Sequence, residues 1–159
     1  MKALPLLAAA AAVAACSSAP QEAAGAGGWD VTKTTLADAS GGRCEPTDLP
    51  DGRKGTWCFL LPVVSLGDGQ NAQVDLYFGG TTPDAALIEI QLKVTSCHLE
   101  QAESWTATRF GTPVERAGDR YFHQNRYLRA AVIPDGGRCL VRLLPLSEQA
   151  EFERIKKAT

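Results

Sequence analysis

The 159-residue sequence contains only two histidines, His98 and His123, and it has no Cys-x-x-Cys motif. Metal sites of the zinc type use closely spaced cysteines and histidines, so no metal ligand is indicated. The Gly-x-Ser-x-Gly turn of serine hydrolases is also missing, and the glycine pairs lack the Lys-Ser of a phosphate-binding loop. We therefore predict no catalytic residue, no metal and no cofactor, unless the fold joins a histidine to a nucleophile and an acid.

A strong excess of charge is absent as well, since the formal net charge is −2. This balance argues against a dedicated nucleic-acid-binding protein. The charge is uneven, because residues 1–99 sum to −4 and residues 100–159 to +2. Most of the positive charge is arginine, and these side chains form either ordinary solvated strand faces or a surface for an anionic partner. Between residues 105 and 145 there are seven arginines: Arg109, Arg116, Arg120, Arg126, Arg129, Arg138 and Arg142.

No apolar run is long enough to span a bilayer as a helix, which takes about 20 residues. The apolar run near the start covers residues 3–15 and follows the positive charge of Lys2. A short positive segment, an apolar run of this length and small residues after it are typical of a secretory signal peptide. We therefore predict a signal peptide over residues 1–15.

The residues Val13-Ala14-Ala15-Cys16 resemble the lipobox of bacterial lipoproteins. The resemblance implies cleavage before Cys16, a diacylglycerol on its thiol and a further acyl chain on its amine, and this lipid is the one non-protein group expected. In Gram-negative members of the class, aspartate after the cysteine favours inner-membrane retention, so Ser17 implies the outer membrane. Residues 17–28 are small and nearly uncharged, which predicts a flexible tether. Residues 16–28 are therefore expected to form the lipidated N-terminus and tether.

Four cysteines remain after Cys16, and an even count in an exported chain indicates disulfides. Three connectivities are open. We favour Cys44–Cys58, which closes a short loop rich in turn residues, and Cys97–Cys139, which would tie two strands of the core.

The hydrophobic pattern predicts one globular domain over residues 29–159. Residues 87–94 alternate apolar and polar side chains, as expected for an antiparallel strand with one buried face. Other strands are predicted at residues 29–36, 56–63, 73–78 and 138–146, and a tight pair of strands broken near Gln124-Asn125 at residues 120–133. A loop is predicted at residues 37–55 and a hairpin turn at 134–137. Helices are predicted over residues 99–110 and after an N-cap at Ser147. This order favours an α+β fold, with an antiparallel sheet and one or two helices packed on it, and a β-sandwich with short helices is the alternative.

These features lead to a functional expectation. The lipobox and the missing active site favour a lipid-anchored, non-enzymatic interaction subunit of an outer-membrane assembly for secretion, motility such as gliding, adhesion or envelope maintenance. Its partners would be the membrane and envelope proteins. The alternative is a periplasmic binding or inhibitor module for a cell-wall enzyme or an anionic envelope polymer. Several aromatic residues are either core packing or a binding patch: Trp57, Trp105, Tyr121, Phe122 and Tyr127.

Overall fold

The computed structural model describes residues 22–158. The predicted signal peptide, Cys16 and the first part of the tether, residues 16–21, lie outside the described residues. Within the described range, no helix combines the length and apolar character needed to cross a bilayer.

Residues 22–158 form eleven strands, two α-helices and one 3-10 turn. The strands are β1 (Gly25–Ala26), β2 (Trp29–Asp30), β3 (Arg43–Asp48), β4 (Lys54–Phe59), β5 (Val64–Gly67), β6 (Gln70–Phe78), β7 (Leu87–Val94), β8 (Glu115–Ala117), β9 (Arg120–Gln124), β10 (Leu128–Asp135) and β11 (Arg138–Pro145). The helices are α1 (Leu99–Phe110) and α2 (Gln149–Lys157), and the 3-10 turn covers Leu36–Asp38.

The main sheet is antiparallel and has nine strands, in the order β3-β4-β6-β7-β11-β10-β9-β8, with β5 also paired to β6. The predicted α+β fold is therefore confirmed. Its centre is made by β6, β7 and β11, the strands whose sequences alternate or run apolar. These strands bury Leu76, Ile90, Leu92, Val141 and Leu143 completely, because their inward side chains all reach one face of the sheet.

The two faces of the sheet are covered differently. The first face carries the larger core, and α1 packs on it through Ala102 and Phe110, joined by Ala26 and Val31 of the N-terminal segment. The second face carries a smaller core beneath α2. There, Phe152 and Ile155 pack on Phe122, Ala131 and Leu144 of strands β9 to β11. The two helices therefore lie on opposite faces.

Both predicted disulfides are present. Cys44 and Cys58 lie directly opposite each other in the β3–β4 pair, so their bond crosslinks neighbouring strands. Cys97 precedes α1 and is bonded to Cys139 near the start of β11. The second bond therefore fixes the beginning of α1 to the central sheet and does not join two strands as predicted, because Cys97 lies after the end of β7.

Several predicted boundaries are wrong. Residues 43–48 form strand β3 within a predicted loop, because this polar edge strand depends on pairing with β4 more than on burial, and Pro46 is tolerated at an edge. The predicted strand 29–36 stops at Asp30, whose side chain accepts a hydrogen bond from the Thr32 amide and turns the chain. The last helix is capped by Glu148 instead of Ser147, which lies within a preceding turn closed by the bond from the Glu148 amide to the Pro145 carbonyl.

The end of the predicted tether belongs to the folded domain. The amide of Ala23 donates to the Arg109 carbonyl at 3.1 Å, and Asn125 Nδ2 donates to the Ala23 carbonyl at 2.9 Å. The short β1–β2 hairpin follows, and Ala26 within it is only 4% exposed. Small residues allow this close packing, so composition typical of a linker also suits a segment pressed against a domain. Residues 22–28 are therefore not a free tether.

Candidate functional site

The second face of the sheet is open over half of its width. Helix α2 packs only on β9 to β11 there, and neither helix of residues 22–158 packs over β4, β6 and β7 on this side. An antiparallel sheet tolerates such an arrangement when the open side carries polar and amphipathic side chains. We call this half the open face, and its side chains come from three neighbouring strands: Trp57, Phe59, Gln73, Asp75, Tyr77, Glu89, Gln91 and Lys93.

The first polar cluster on the open face surrounds Asp75. Trp57 Nε1 donates to Asp75 Oδ2 at 2.8 Å, and Lys93 Nζ forms an ion pair with the same oxygen. The Asp75 residue is only 5% exposed. The ammonium group of Lys93 also lies 5.9 Å from the centre of the Trp57 ring, within the range of a cation–π contact. Asp75 therefore holds an aromatic ring and a cation in fixed positions.

The second polar cluster surrounds Arg142. Its guanidinium donates to both carboxylate oxygens of Glu89 and, at 2.8 Å, to Glu151 on α2. Gln91 and Arg154 donate further hydrogen bonds to Glu89 and Glu151. Burial raises the pKa of Glu151, but the hydrogen bonds from Arg154 and Arg142 outweigh burial and lower that pKa overall. The cluster is thus charge-balanced and locks α2 to the edge of the open face.

An apolar rim borders the Asp75 cluster. The rings of Trp57 and Phe59 stack with centroids 4.3 Å apart, while the Leu60 and Val63 residues are 75% and 60% exposed. Together they line a groove of about 430 Å³ where the chain leaves β4, before β5 begins. The sequence predicted a fully covered strand over residues 56–63, but β4 ends at Phe59.

The backbone at Leu60 explains the exposed leucine. Its φ of +57° lies in the left-handed region, which residues other than glycine seldom adopt. This conformation turns Leu60 outward, while the next residue, Leu61, is only 7% exposed. Because the Leu60 side chain is exposed, its burial does not offset the energetic cost of the strained backbone. Such sites are often functional, so we include Leu60 in the candidate site.

Replacing Leu60 with glycine should raise the free energy of unfolding by about 1 kcal/mol, because glycine adopts positive φ without strain. Leu60→Ala is the matched control, since it removes the same exposed side chain and keeps the strained backbone. The midpoints of urea unfolding compare the variants. Equal stability of the glycine and alanine variants would show that the backbone at this position is not strained.

The structure disperses the seven arginines proposed as a surface for an anionic partner. Arg142 lies in the buried cluster described above, with its side chain only 11% exposed, and is therefore not available to a partner at the surface. Arg116 stacks on Tyr121, Arg120 donates to the Ala158 carbonyl, and Arg138 pairs with Asp135 in a different part of the sheet. Arg109 stacks on Trp105 of α1. The remaining two, Arg126 and Arg129, lie within and directly after the β9–β10 turn.

The five aromatic residues proposed as a binding patch do not form one patch. Phe122 is buried under α2, Trp105 lies on α1, and Tyr121 joins the core of the first face. Tyr127 lies in the β9–β10 turn beneath Arg126. Trp57 is the one member that lies on the open face.

The two histidines have different structural roles. His98 caps the start of α1 beside the disulfide, whereas His123 is fully buried on β9. Its Nδ1 lies 2.8 Å from the Gly111 carbonyl, at the end of α1. Burial lowers the pKa of His123 below 6.5, against the opposite effects of the Gly111 carbonyl and the Glu103 carboxylate. His123 is thus a neutral structural link between α1 and the sheet.

The lowered pKa of His123 predicts that the stability of the protein depends on pH. Because the folded state disfavours the charged imidazole, the stability contributed by neutral His123 is present above pH 6.5 and is lost as the pH falls through the folded pKa. We expect the free energy of unfolding to decrease between pH 7 and pH 5. His123→Gln should remove most of this slope, while His98→Gln at the exposed cap should keep it. An unchanged slope in His123→Gln would contradict this assignment.

The ionisable groups buried on the open face are either neutral or paired. Burial, with the nearby charges of Asp75 and Glu89, raises the pKa of Tyr77 to about 12, so its hydroxyl stays neutral. Both buried carboxylates of this face have a cationic partner. Among residues 22–158, no group of three or more His, Cys, Asp or Glu side chains could hold a metal ion.

The sequence contained part of the information needed to find this site. Alternation in residues 73–77 and 89–93 places their polar side chains on one face, and pairing β6 with β7 brings Asp75 and Glu89 to neighbouring strands. Nothing in the sequence distinguishes the exposed Leu60 from the buried Leu61.

No family model matches this chain, and neither a curated protein nor a solved structure shows significant similarity to it.

Proposed function

We propose that this protein is an outer-membrane lipoprotein anchored through Cys16, and that it acts without catalysis as an interaction subunit of a cell-envelope assembly. The processes that fit are secretion, motility such as gliding, adhesion and envelope maintenance. The lipobox-like residues 13–16 support the anchor. The observation that carries the interaction role is the apolar rim of the open face, where Leu60 and Val63 project beside the stacked rings of Trp57 and Phe59.

The chemistry of the rim favours a protein partner. The cores of protein interfaces are enriched in tryptophan and phenylalanine and poor in charge. Trp57 is held by Asp75, so little conformational freedom is lost when a partner covers it. Folding leaves the side chains of Leu60 and Val63 exposed, and a bound partner would remove this apolar surface from water. We expect the partner to insert an apolar side chain into the groove.

The anchor is tested on the protein purified from a membrane fraction of its native cells. Its intact mass should correspond to a chain beginning at Cys16 with acyl chains attached. Cys16→Ser should abolish this modification and mislocalise the protein. An unmodified mature N-terminus would refute the anchor.

The interaction role is tested by co-purification from native membranes after crosslinking. The double variant Leu60→Lys/Val63→Lys places charge on the rim, and both positions are exposed, so folding should be preserved. Loss of a partner that the unchanged chain and a control variant, Thr95→Lys, both retain would support the proposal. Retention of the same partners by the double variant, with its lipid anchor intact, would overturn it.

The alternative function is a module that binds an anionic envelope polymer or inhibits a cell-wall enzyme. It draws on Arg126 and Arg129, which lie within and directly after a single turn. Purified cell wall should then retain the protein at low salt and release it at high salt, because exposed charges are screened. Absence of binding at low salt would exclude the polymer version of this alternative.

A further inference from the structure

The β9–β10 turn, residues 125–127, contacts the first residues that the structure describes, Glu22 and Ala23. Glu22 pairs with Arg126 at 3.1 Å, and Asn125 holds the carbonyl of Ala23. Asn125 is fixed in turn, because its Oδ1 accepts hydrogen bonds from the amides of Tyr127 and Leu128. The position of Glu22 at this end of the sheet is therefore set by a network of specific contacts.

Covalent geometry limits the distance between this turn and the proposed anchor. Five residues lie between Cys16 and Glu22, so six Cα-to-Cα steps join them. A chain spans at most about 3.5 Å per residue, so the two Cα atoms lie within about 20 Å of each other. This limit holds for any conformation of residues 17–21. A lipid on Cys16 would thus keep the β9–β10 turn close to the headgroup layer.

The side chains around this turn suit contact with a lipid surface. The Arg126 side chain is 71% exposed despite its pair with Glu22. Arg129 donates to the Leu146 carbonyl and to Gln149 and has no carboxylate partner among the residues that the structure describes. We call the following five residues the basic corner: Val114, Arg126, Tyr127, Arg129 and Leu146. Its two aliphatic members are exposed, Val114 to 68% and Leu146 to 36%.

The strand register explains why the aliphatic residues belong to this corner. Leu146 follows Pro145, which pairs with Leu128 directly after the turn. The amide of Val114 donates to the Phe122 carbonyl on β9, near the same end of that strand. Exposed aliphatic side chains and a tyrosine among cations are the combination found where proteins meet a membrane interface.

We infer that the basic corner docks on the anionic headgroups of the bilayer in which Cys16 is anchored, and so fixes the orientation of the domain. This inference rests on the proposed lipid anchor. Each arginine near an anionic surface strengthens contact by about fivefold, which follows from about 1 kcal/mol per residue. The anchor alone would leave the domain free to turn, whereas the corner selects one orientation.

The test is arginine footprinting of the lipidated full-length mature protein. The protein is placed in vesicles of phosphatidylethanolamine with a quarter phosphatidylglycerol, in vesicles of phosphatidylcholine, and in neutral detergent. An arginine-selective glyoxal reagent then modifies exposed guanidinium groups, and mass spectrometry measures each rate. Arg138 and Arg43 are matched controls, since their side chains are 65% and 69% exposed and lie outside the corner.

We expect modification of Arg126 to slow at least fivefold on anionic vesicles relative to detergent, while Arg138 and Arg43 keep their rates. High salt should remove the protection. Equal rates at Arg126 and Arg138 on anionic vesicles, or equal protection of Arg126 on phosphatidylcholine, would overturn the inference. Failure of the anchor gives a different result, because the protein would then lack acyl mass and would not float with the vesicles.

Discussion

Replacing Arg142 with alanine is expected to lower the free energy of unfolding by about 3–5 kcal/mol. Arg142 and Glu89 form a two-point ion pair with side chains only 11% and 9% exposed, and Arg142 also holds Glu151 of α2. The substitution leaves the Glu89 carboxylate buried without a cation. Removing one member of a buried pair costs far more than removing an exposed one. Urea or thermal unfolding measures the loss.

Two further variants make this prediction specific. Arg138→Ala removes an exposed arginine whose partner, Asp135, is 67% exposed, and should cost less than about 1 kcal/mol. The double variant Arg142→Met/Glu89→Met replaces the pair with apolar side chains and should recover most of the lost stability. If Arg142→Ala and Arg138→Ala are equally stable, Arg142 is a surface residue and the buried cluster is wrong.

Removing the disulfide between Cys97 and Cys139 is expected to cost about 4 kcal/mol, by the chain-entropy relation for its loop. The two cysteines are 42 residues apart in sequence, and their bond ties the start of α1 to β11 in the central sheet. Cys97→Ala/Cys139→Ala frees this long loop in the unfolded chain. Unfolding of the variant and the oxidised protein under the same conditions measures the difference.

The other disulfide provides the matched comparison. Cys44 and Cys58 are 14 residues apart, and the same relation gives about 3 kcal/mol for their removal. This bond links β3 to β4 at the edge of the sheet, so its loss should leave the central strands intact. A larger effect from Cys44→Ala/Cys58→Ala than from the Cys97 and Cys139 variant would contradict this ranking.

The central part of the fold could be predicted because its sequence carries strong local signals. Residues 87–94 alternate regularly, and α1 has the predicted bounds, ending before Gly111. Strand β3 could not be predicted in the same way, since a polar edge strand is stabilised by its neighbour and has no hydrophobic pattern of its own. Composition also misled the assignment of residues 22–28, where Ala26 is buried within a segment that resembles a linker.

The candidate site depended on information that a single sequence does not contain. The apolar run at residues 58–61 gives no sign that Leu60, directly after the end of β4, has a left-handed backbone and an exposed side chain. The arginines show the opposite case. They form one cluster by sequence, yet the fold places Arg142 in a buried pair, Arg109 on Trp105 of α1 and only Arg126 and Arg129 beside the β9–β10 turn. Sequence proximity is therefore a weak guide to a shared surface.

The most direct test of the interaction role is site-specific photo-crosslinking in cells that make the protein at its natural level. A photoreactive amino acid is placed at Leu60, at Val63 and, as a control, at the exposed Thr95. The proposed function predicts that positions 60 and 63 crosslink to the same envelope protein, identified by mass spectrometry, and that position 95 does not. No adduct at positions 60 and 63, or the same adduct at position 95 with equal yield, would contradict it.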